Sequence, residues 1–222
     1  MARFPQEKGQ KGSQKWIQYF VNQDAGTLND AIGYESIDWY SPLKSDDYAE
    51  YRDRAFTNKL DIELDKVRLK DFWPKNGPQW DALGRADTGD IILVEAKSHI
   101  DEVFTSSTAK EPKSIELIKK SLQKVSRALN AKPGLDWMSR FYQYGNRLAH
   151  AYFLNELNDI PTKLIFVNFI NDLNMDGPKN IDEWQAAMMV VHEAMGIKGK
   201  IPDYVKHVYL DVNNISSNSI KI

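Results

Sequence analysis

The chain has no cysteine in its 222 residues. That excludes a disulfide framework, a thiolate nucleophile and a cysteine-based zinc site. Long apolar runs are missing as well, so no segment is suited to crossing a bilayer, which takes about 20 apolar residues. Residues 1–6 lack the apolar stretch of a signal peptide, and a cytoplasmic location with no membrane partner is the expectation. There is no excess of positive charge either. The formal net charge is −2, so the chain as a whole is not a general polyanion binder. Glycine-rich phosphate loops, a serine nucleophile elbow and a His-x-x-x-His pair are all absent. His192 and His207 have no partner at metal-ligand spacing and read as structural.

What is present is ordinary for a globular protein. Hydrophobic residues make up 42% and charged residues 27% of the chain. The length fits one domain over residues 1–222 with a substantial core.

The most informative stretch runs from Pro78 to Lys97. Ile91 to Val94 is a short apolar, β-branched run of the buried-strand kind. The cluster Ala86-Asp87-Thr88-Gly89-Asp90 before it is a turn, with Gly89 free to take positive φ. A three-residue hairpin loop ends typically in a residue of left-handed conformation, and Asp87-Thr88-Gly89 meets that requirement. This loop sets Ala86 opposite Asp90, which in turn sets Asp81 opposite Glu95 and Gln79 opposite Lys97. Strand period then places Asp81, Leu83, Arg85, Ile91, Leu93, Glu95, Lys97 and His99 on one face. Opposed Cβ atoms lie about 4.5–5.5 Å apart, and like charges there repel. The register therefore calls for a positive group between the two acids, and a divalent cation fits, held by one or two carboxylates plus substrate oxygens. The backbone carbonyl of Ala96 is a plausible further ligand.

Elsewhere, residues 13–23 form an amphipathic helix with Trp16, Ile17 and Phe20 on one side. Residues 46–56 follow Pro42, begin with acids and predict a helix. Ser114 is expected to cap a helix carrying the stripe Ile115, Ile118, Leu122, Val125 and Leu129. The sequence Glu111-Pro112-Lys113, which repeats the acid-x-lysine pattern, reads as loop. A longer helix is expected from Trp137 to about 157, a buried strand over 164–170, a helix capped by Asp182 through about Met195, and a last strand over 205–212. The order helix, hairpin, helices, strand, helix, strand implies an α/β domain whose mixed central sheet carries helices on both faces.

Charge is uneven. Between 110 and 132 there are seven basic residues (Lys110, Lys113, Lys119, Lys120, Lys124, Arg127, Lys132) against Glu111 and Glu116. A solvated helix face is the plainer reading of such a stripe, and a phosphate-attracting surface is the alternative.

Pro78-x-x-Asp81 followed by Glu95-Ala96-Lys97 resembles the PD-(D/E)XK nuclease superfamily, whose fold is restriction-endonuclease-like. The resemblance covers roughly residues 46–170, as a core with N-terminal helical and C-terminal helix-strand additions. It implies a three-layer α/β fold built from a helix, a three-stranded meander, a second helix and a further strand. It also implies Mg²⁺-dependent (or Mn²⁺-dependent) hydrolysis of phosphodiester bonds in DNA. Asp81 and Glu95 would bind the metal, and Lys97 would assist the attacking water. Members of this group often add a glutamate from the helix before the meander, a place for which Glu50 is the first candidate, with Glu35 and Glu63 behind it. His99 continues the face of Glu95 and Lys97.

On the long helix, Gln143, Asn146, Arg147 and His150 share one stripe. They read equally as phosphate contacts or as an exposed face, with Tyr144, Leu148 and Ala151 opposite. Gln143 is followed four residues later by Arg147, where exonucleases of the superfamily carry tyrosine, so a processive end-resecting role is not indicated. Two rivals stand beside the nuclease reading. One is a non-catalytic nucleic-acid-binding or interaction module that keeps the fold, the other a metal-free carboxylate-pair hydrolase such as a glycosidase.

Overall fold

The computed structural model describes residues 2–214. Its elements are β1 (Arg3–Phe4), α1 (Gly12–Gln23), α2 (Ala25–Ile32), β2 (Ile37–Ser41), β3 (Glu50–Tyr51), α3 (Arg54–Lys59), α4 (Leu69–Phe72), β4 (Ala82–Ala86), β5 (Ile91–Lys97), α5 (Pro112–Ala128), α6 (Tyr142–Tyr152), β6 (Thr162–Ile170), α7 (Ile181–Met195) and β7 (Val205–Asp211). The main sheet is mixed and has five strands in the order β2-β4-β5-β6-β7. The first two pairings are antiparallel and the last two parallel. β1 and β3 form a separate two-stranded ribbon.

Strand alternation divides the apolar residues between two faces. On one, Ala82, Ile92, Val94, Ala96, Ile165, Val167 and Phe169 pack against Ile17, Phe20, Leu28 and Ile32 of α1 and α2. On the other, Leu83, Ile91, Leu93, Leu164 and Phe166 pack against α5, α6 and α7 through Leu122, Val125, Tyr144, Leu148, Trp184 and Met188. The result is three layers, helix on sheet on helix. β5 and β6 are apolar on both sides because both faces are covered.

The hairpin forms with the loop expected of it. Pairs run Ala82–Val94, Leu83–Leu93, Gly84–Ile92 and Arg85–Ile91. The Gly89 N–H donates to the Ala86 carbonyl at 2.8 Å, and Gly89 has φ 91°. An L side chain is strained at that φ, so glycine sets the loop length and with it the register.

Several expectations need correction. No single helix covers 46–56: Lys44–Asp46 is a 3₁₀ turn, Glu50–Tyr51 is strand β3, and only Arg54–Lys59 is helical. Asp47, Tyr48 and Asp53 take positive φ, which interrupts any helix there. The first strand of the meander is β2, outside the 46–170 range, with β3, α3 and α4 inserted before β4. Glu111 rather than Ser114 caps α5, its carboxylate accepting from the backbone N–H of Lys113 and Ser114, with Pro112 in the first turn. Glu111-Pro112-Lys113 is thus a helix start and not a loop. The long helix begins at Tyr142 and not at Trp137, since Phe141 sits in the left-handed region, and its end at Phe153–Leu157 widens into a π-helical turn. Asn180 caps α7 in place of Asp182.

Candidate functional site

The β4–β5 ladder stops at Ala82–Val94, one pair short of Asp81 and Glu95. Continued regularly, it would bring the Ala96 N–H to the Trp80 carbonyl. Trp80 instead leaves the ladder and donates its N–H to Tyr51 of β3 at 3.1 Å. Asp81 takes over the vacated acceptor position: its Oδ2 accepts from the Ala96 N–H at 2.7 Å, and its own N–H goes to the Val94 carbonyl at 3.2 Å. The acid is thereby fixed to the edge of β5 beside Glu95. Gln79 does not face Lys97. Its carbonyl accepts from Arg147 at 2.7 Å, and its side-chain amide donates to Glu50 at 2.6 Å.

The Trp80–Tyr51 pairing also brings Glu50 into the site, from a strand and not from a helix. The β1–β3 ribbon carrying it is anchored by Asp46, which accepts from Arg3 at 2.8 Å and from Lys59 at 3.0 Å and also bonds the Tyr51 hydroxyl. Glu35 and Glu63 do not line the cleft, whose walls are Glu50, Gly77, Pro78, Gln79, Asp81, Thr105, Tyr142, Gln143, Asn146 and Arg147.

Glu95 is 1% exposed and shared by two cations. Lys97 donates to Oε1, and the Arg147 Nε donates to Oε2 at 2.6 Å. Arg147 is buried, with its guanidinium over the Trp80 ring at 4.9 Å and its Nη1 on the Asn146 side-chain carbonyl at 2.9 Å. The positive group that the opposed acids required is therefore supplied in part by the chain itself. Residues 143, 146, 147 and 150 do not form a solvated stripe: Asn146, Arg147 and His150 are buried against the sheet. Gln143 lines the cleft. His150 stacks edge-on among Phe72, Trp73 and Trp80, and bonds the Asn146 carbonyl through Nδ1 at 2.9 Å. His99 lies past the end of β5 and pairs with Glu102 at 3.2 Å, away from the cleft walls. Trp80 is fully buried, but on the same side of the sheet as Leu83, Leu93 and Arg147 and not on the opposite face that strand alternation from Asp81 expects, because it has left the ladder.

The electrostatics separate these acids. Lost solvation, then the charges of Glu95 and Glu50, push the Asp81 carboxyl well above the usual range, although Lys97 and the Ala96 N–H oppose this. Lost solvation raises Glu50 in the same direction. For Glu95, burial also disfavours the charge, but Arg147 and then Lys97 outweigh it and hold the carboxyl below its ordinary value. Burial acts against the Lys97 ammonium, yet Glu95 and Asp81 raise its pKa, so it stays protonated.

Among the described residues, no three His, Asp or Glu side chains converge closely enough to hold a metal ion by themselves. The oxygen donors here are the Asp81 carboxylate at the cleft wall, the Ala96 carbonyl, and behind them the buried Glu95 carboxylate, whose two oxygens are held by Lys97 and Arg147. Residues 94 and 96 send their backbone polar groups to the same edge of β5, as the bonds of the Val94 carbonyl and the Ala96 N–H to Asp81 show. This all-oxygen set suits a hard cation that retains several waters. Among the described residues no helix is long and apolar enough to cross a membrane. Comparison with family models, with curated proteins and with solved structures finds no significant match.

Proposed function

We propose that this chain is a divalent-cation-dependent nuclease of the restriction-endonuclease-like kind, acting on phosphodiester bonds in DNA. One observation carries the reading. Asp81 is tied to the edge of β5 beside Glu95 and two residues from Lys97, at the wall of an open cleft. Asp81, Glu95 and the Ala96 carbonyl would hold Mg²⁺ or Mn²⁺. Such an ion supplies Lewis acidity and an activated water. Lys97 donates one N–H to Glu95, and an ammonium has two more with which to orient a water or a phosphate oxygen. Arg147 keeps Glu95 charged and in place, and Gln143 stands at the cleft wall for substrate contact. Positive charge close to a developing pentacovalent phosphate is what this chemistry needs. The mixed sheet with an antiparallel meander on one side and a parallel strand on the other supports the fold assignment.

The test is relaxation or linearisation of supercoiled plasmid with Mg²⁺, Mn²⁺ or chelator. Cleavage by the parent chain, lost with chelator and in Asp81→Asn and Lys97→Met, supports the assignment. Full metal-dependent cleavage by Lys97→Met would refute the mechanism.

A second reading has one observation in its favour. Both oxygens of Glu95 are already engaged by protein cations, so the fold stands without a metal. A non-catalytic nucleic-acid-binding module would then show no cleavage and no stabilisation by Mg²⁺.

A further inference from the structure

Helix α5 carries a charged surface that the cleft does not use. Within Pro112–Ala128 lie five cations, Lys113, Lys119, Lys120, Lys124 and Arg127, against the single acid Glu116, in a chain of net charge −2. At 100° per residue, Lys113, Lys120, Lys124 and Arg127 fall within a strip about 60° wide. All four are exposed. Their inward counterparts Ile118, Ser121, Leu122 and Val125 are buried. Glu116 lies at the edge of the strip, three residues after Lys113 and four before Lys120. Even so, the ion pairs found among the described residues all lie elsewhere. Lys110 precedes the strip and Lys132 follows it, both exposed.

Placement relates this strip to the cleft. The Ser121 hydroxyl bonds the Phe72 carbonyl, and the next residue, Trp73, stacks on Tyr142 of the cleft wall. From Thr105, also in that wall, five residues of chain lead to Lys110 and the first turn of α5. A straight helix carries the strip over about 21 Å, equal to about six base-pair steps along a duplex. Exposed cations that form no close ion pair, at irregular intervals along a rigid rod, suit a phosphate backbone, which demands charge and reach but no base-by-base geometry.

We propose that the Lys113–Lys120–Lys124–Arg127 strip of α5 is a sequence-independent track for the phosphate backbone of double-stranded DNA, guiding it to the cleft. The inference deepens the nuclease reading by assigning its substrate a second binding surface, and it rests on that reading for the choice of DNA. Binding of a fluorescein-labelled 30-base-pair duplex, measured by anisotropy in chelator over a series of salt concentrations, tests it. Every phosphate that a cation neutralises adds about 0.9 to the steepness of log K against log salt. The quadruple variant Lys113→Gln/Lys120→Gln/Lys124→Gln/Arg127→Gln is therefore expected to show a slope shallower by about 3 to 4 units, equally for unrelated sequences. The control Lys198→Gln/Lys200→Gln should keep the parent slope.

Unchanged slope and affinity in the quadruple variant, with circular dichroism unchanged, would overturn the track even if plasmid cleavage stands. Parent protein that binds acidic phospholipid vesicles but not the duplex would overturn it too. Conversely, strip-dependent binding without any metal-dependent cleavage supports the track and removes the nuclease.

Discussion

Arg147 and Glu95 form the buried ion pair around which the cleft is built: Nε to Oε2 is 2.6 Å, with the guanidinium also on the Gln79 carbonyl and over Trp80. One side chain of α6 thus joins the helix to β5 and to the segment entering β4. Removing one partner of a buried pair leaves the other charge uncompensated, at a cost of about 3–5 kcal/mol. Arg147→Met is therefore expected to lower the free energy of urea unfolding by that amount. Arg147→Lys should not restore it, because an ammonium lacks the planar fork that spans both acceptors. A loss below about 1 kcal/mol in Arg147→Met would show that the pair holds little of the fold.

The same pair alters what removal of each acid does. From register alone, deleting either Asp81 or Glu95 relieves a repulsion and leaves the fold intact. With Arg147 and Lys97 both bound to Glu95, only Asp81 is expected to behave so. Asp81→Asn keeps an acceptor for the Ala96 N–H and removes one negative charge, so its stability should match or exceed that of the parent. Glu95→Gln strands the buried Arg147 and weakens the hold on the half-buried Lys97, and should be destabilised by several kcal/mol, on the order of a broken buried pair. Chemical denaturation of the two variants side by side distinguishes them, and equal stabilities would contradict the shared-anion geometry.

The hairpin register was legible because loop chemistry is local: Gly89 at φ 91° ends a three-residue turn, and everything up to Ala82–Val94 follows. Its end was not legible, because Trp80 leaves the ladder for Tyr51, a partner 29 residues away. The sequence points to Glu50, yet on a helix, since the acids at 46–47 resemble a helix start, whereas Asp46 binds Arg3 and Lys59. Arg147 was placed on the correct helix stripe, but a polar stripe looks the same whether it faces water or a buried carboxylate. Strand β2 carries little signal in the sequence because Ile-Asp-Trp-Tyr-Ser alternates only as far as Trp39 and is followed at once by Pro42. The acid and proline at 111–112 carry a helix-start signal of their own, next to the commoner capping residue Ser114.

Metal binding should register as stability. An ion that binds only the folded chain adds about 2.7 kcal/mol at a hundred times its Kd. For a chain of this size that is a rise in Tm of roughly 5–10 °C. Mg²⁺ or Mn²⁺ is expected to produce it in the parent and not in Asp81→Asn, by differential scanning fluorimetry. An equal rise in both would place the ion away from the cleft.

Gly177 packs closely against the end of β5. A Cβ there would lie 2.0 Å from the Ser98 carbonyl oxygen, a backbone atom that follows directly on Lys97. Gly177→Ala must push the loop before α7 away from the end of β5, and overpacking of this kind costs about 1–3 kcal/mol. Because Ser98 adjoins Lys97, cleavage should fall more than the lower stability explains when assayed well below the Tm. Normal cleavage at that temperature would show that the loop does not govern the lysine.

Acid should unfold the chain through two buried histidines. Burial lowers the pKa of His150 to about 3, and burial with the neighbouring His192 lowers that of His207 to about 3. An unfolded histidine titrates near 6.5. A folded pKa below the unfolded one means that the native state binds the proton less readily. The stability of the neutral form is therefore fully present above about pH 6.5 and is lost as pH falls toward about 3. The slope in that window is about 1.4 kcal/mol per pH unit for each group. His207 lies stacked on Phe166, with the Tyr144 hydroxyl between it and His192, and no carboxylate among these neighbours offsets a proton. His150 has Arg147 for a neighbour, which opposes protonation further. The raised carboxyls of Asp81 and Glu50 act in the opposite direction as pH falls, and the pKa of His192 is lowered like those of the other two histidines. Asp81, Glu50 and His192 are common to the parent and His150→Phe, so the loss of urea-unfolding free energy between about pH 6.5 and about pH 4 should be smaller in the variant by about 1.4 kcal/mol per pH unit. An unchanged slope in that variant would mean that His150 takes up its proton in the folded chain.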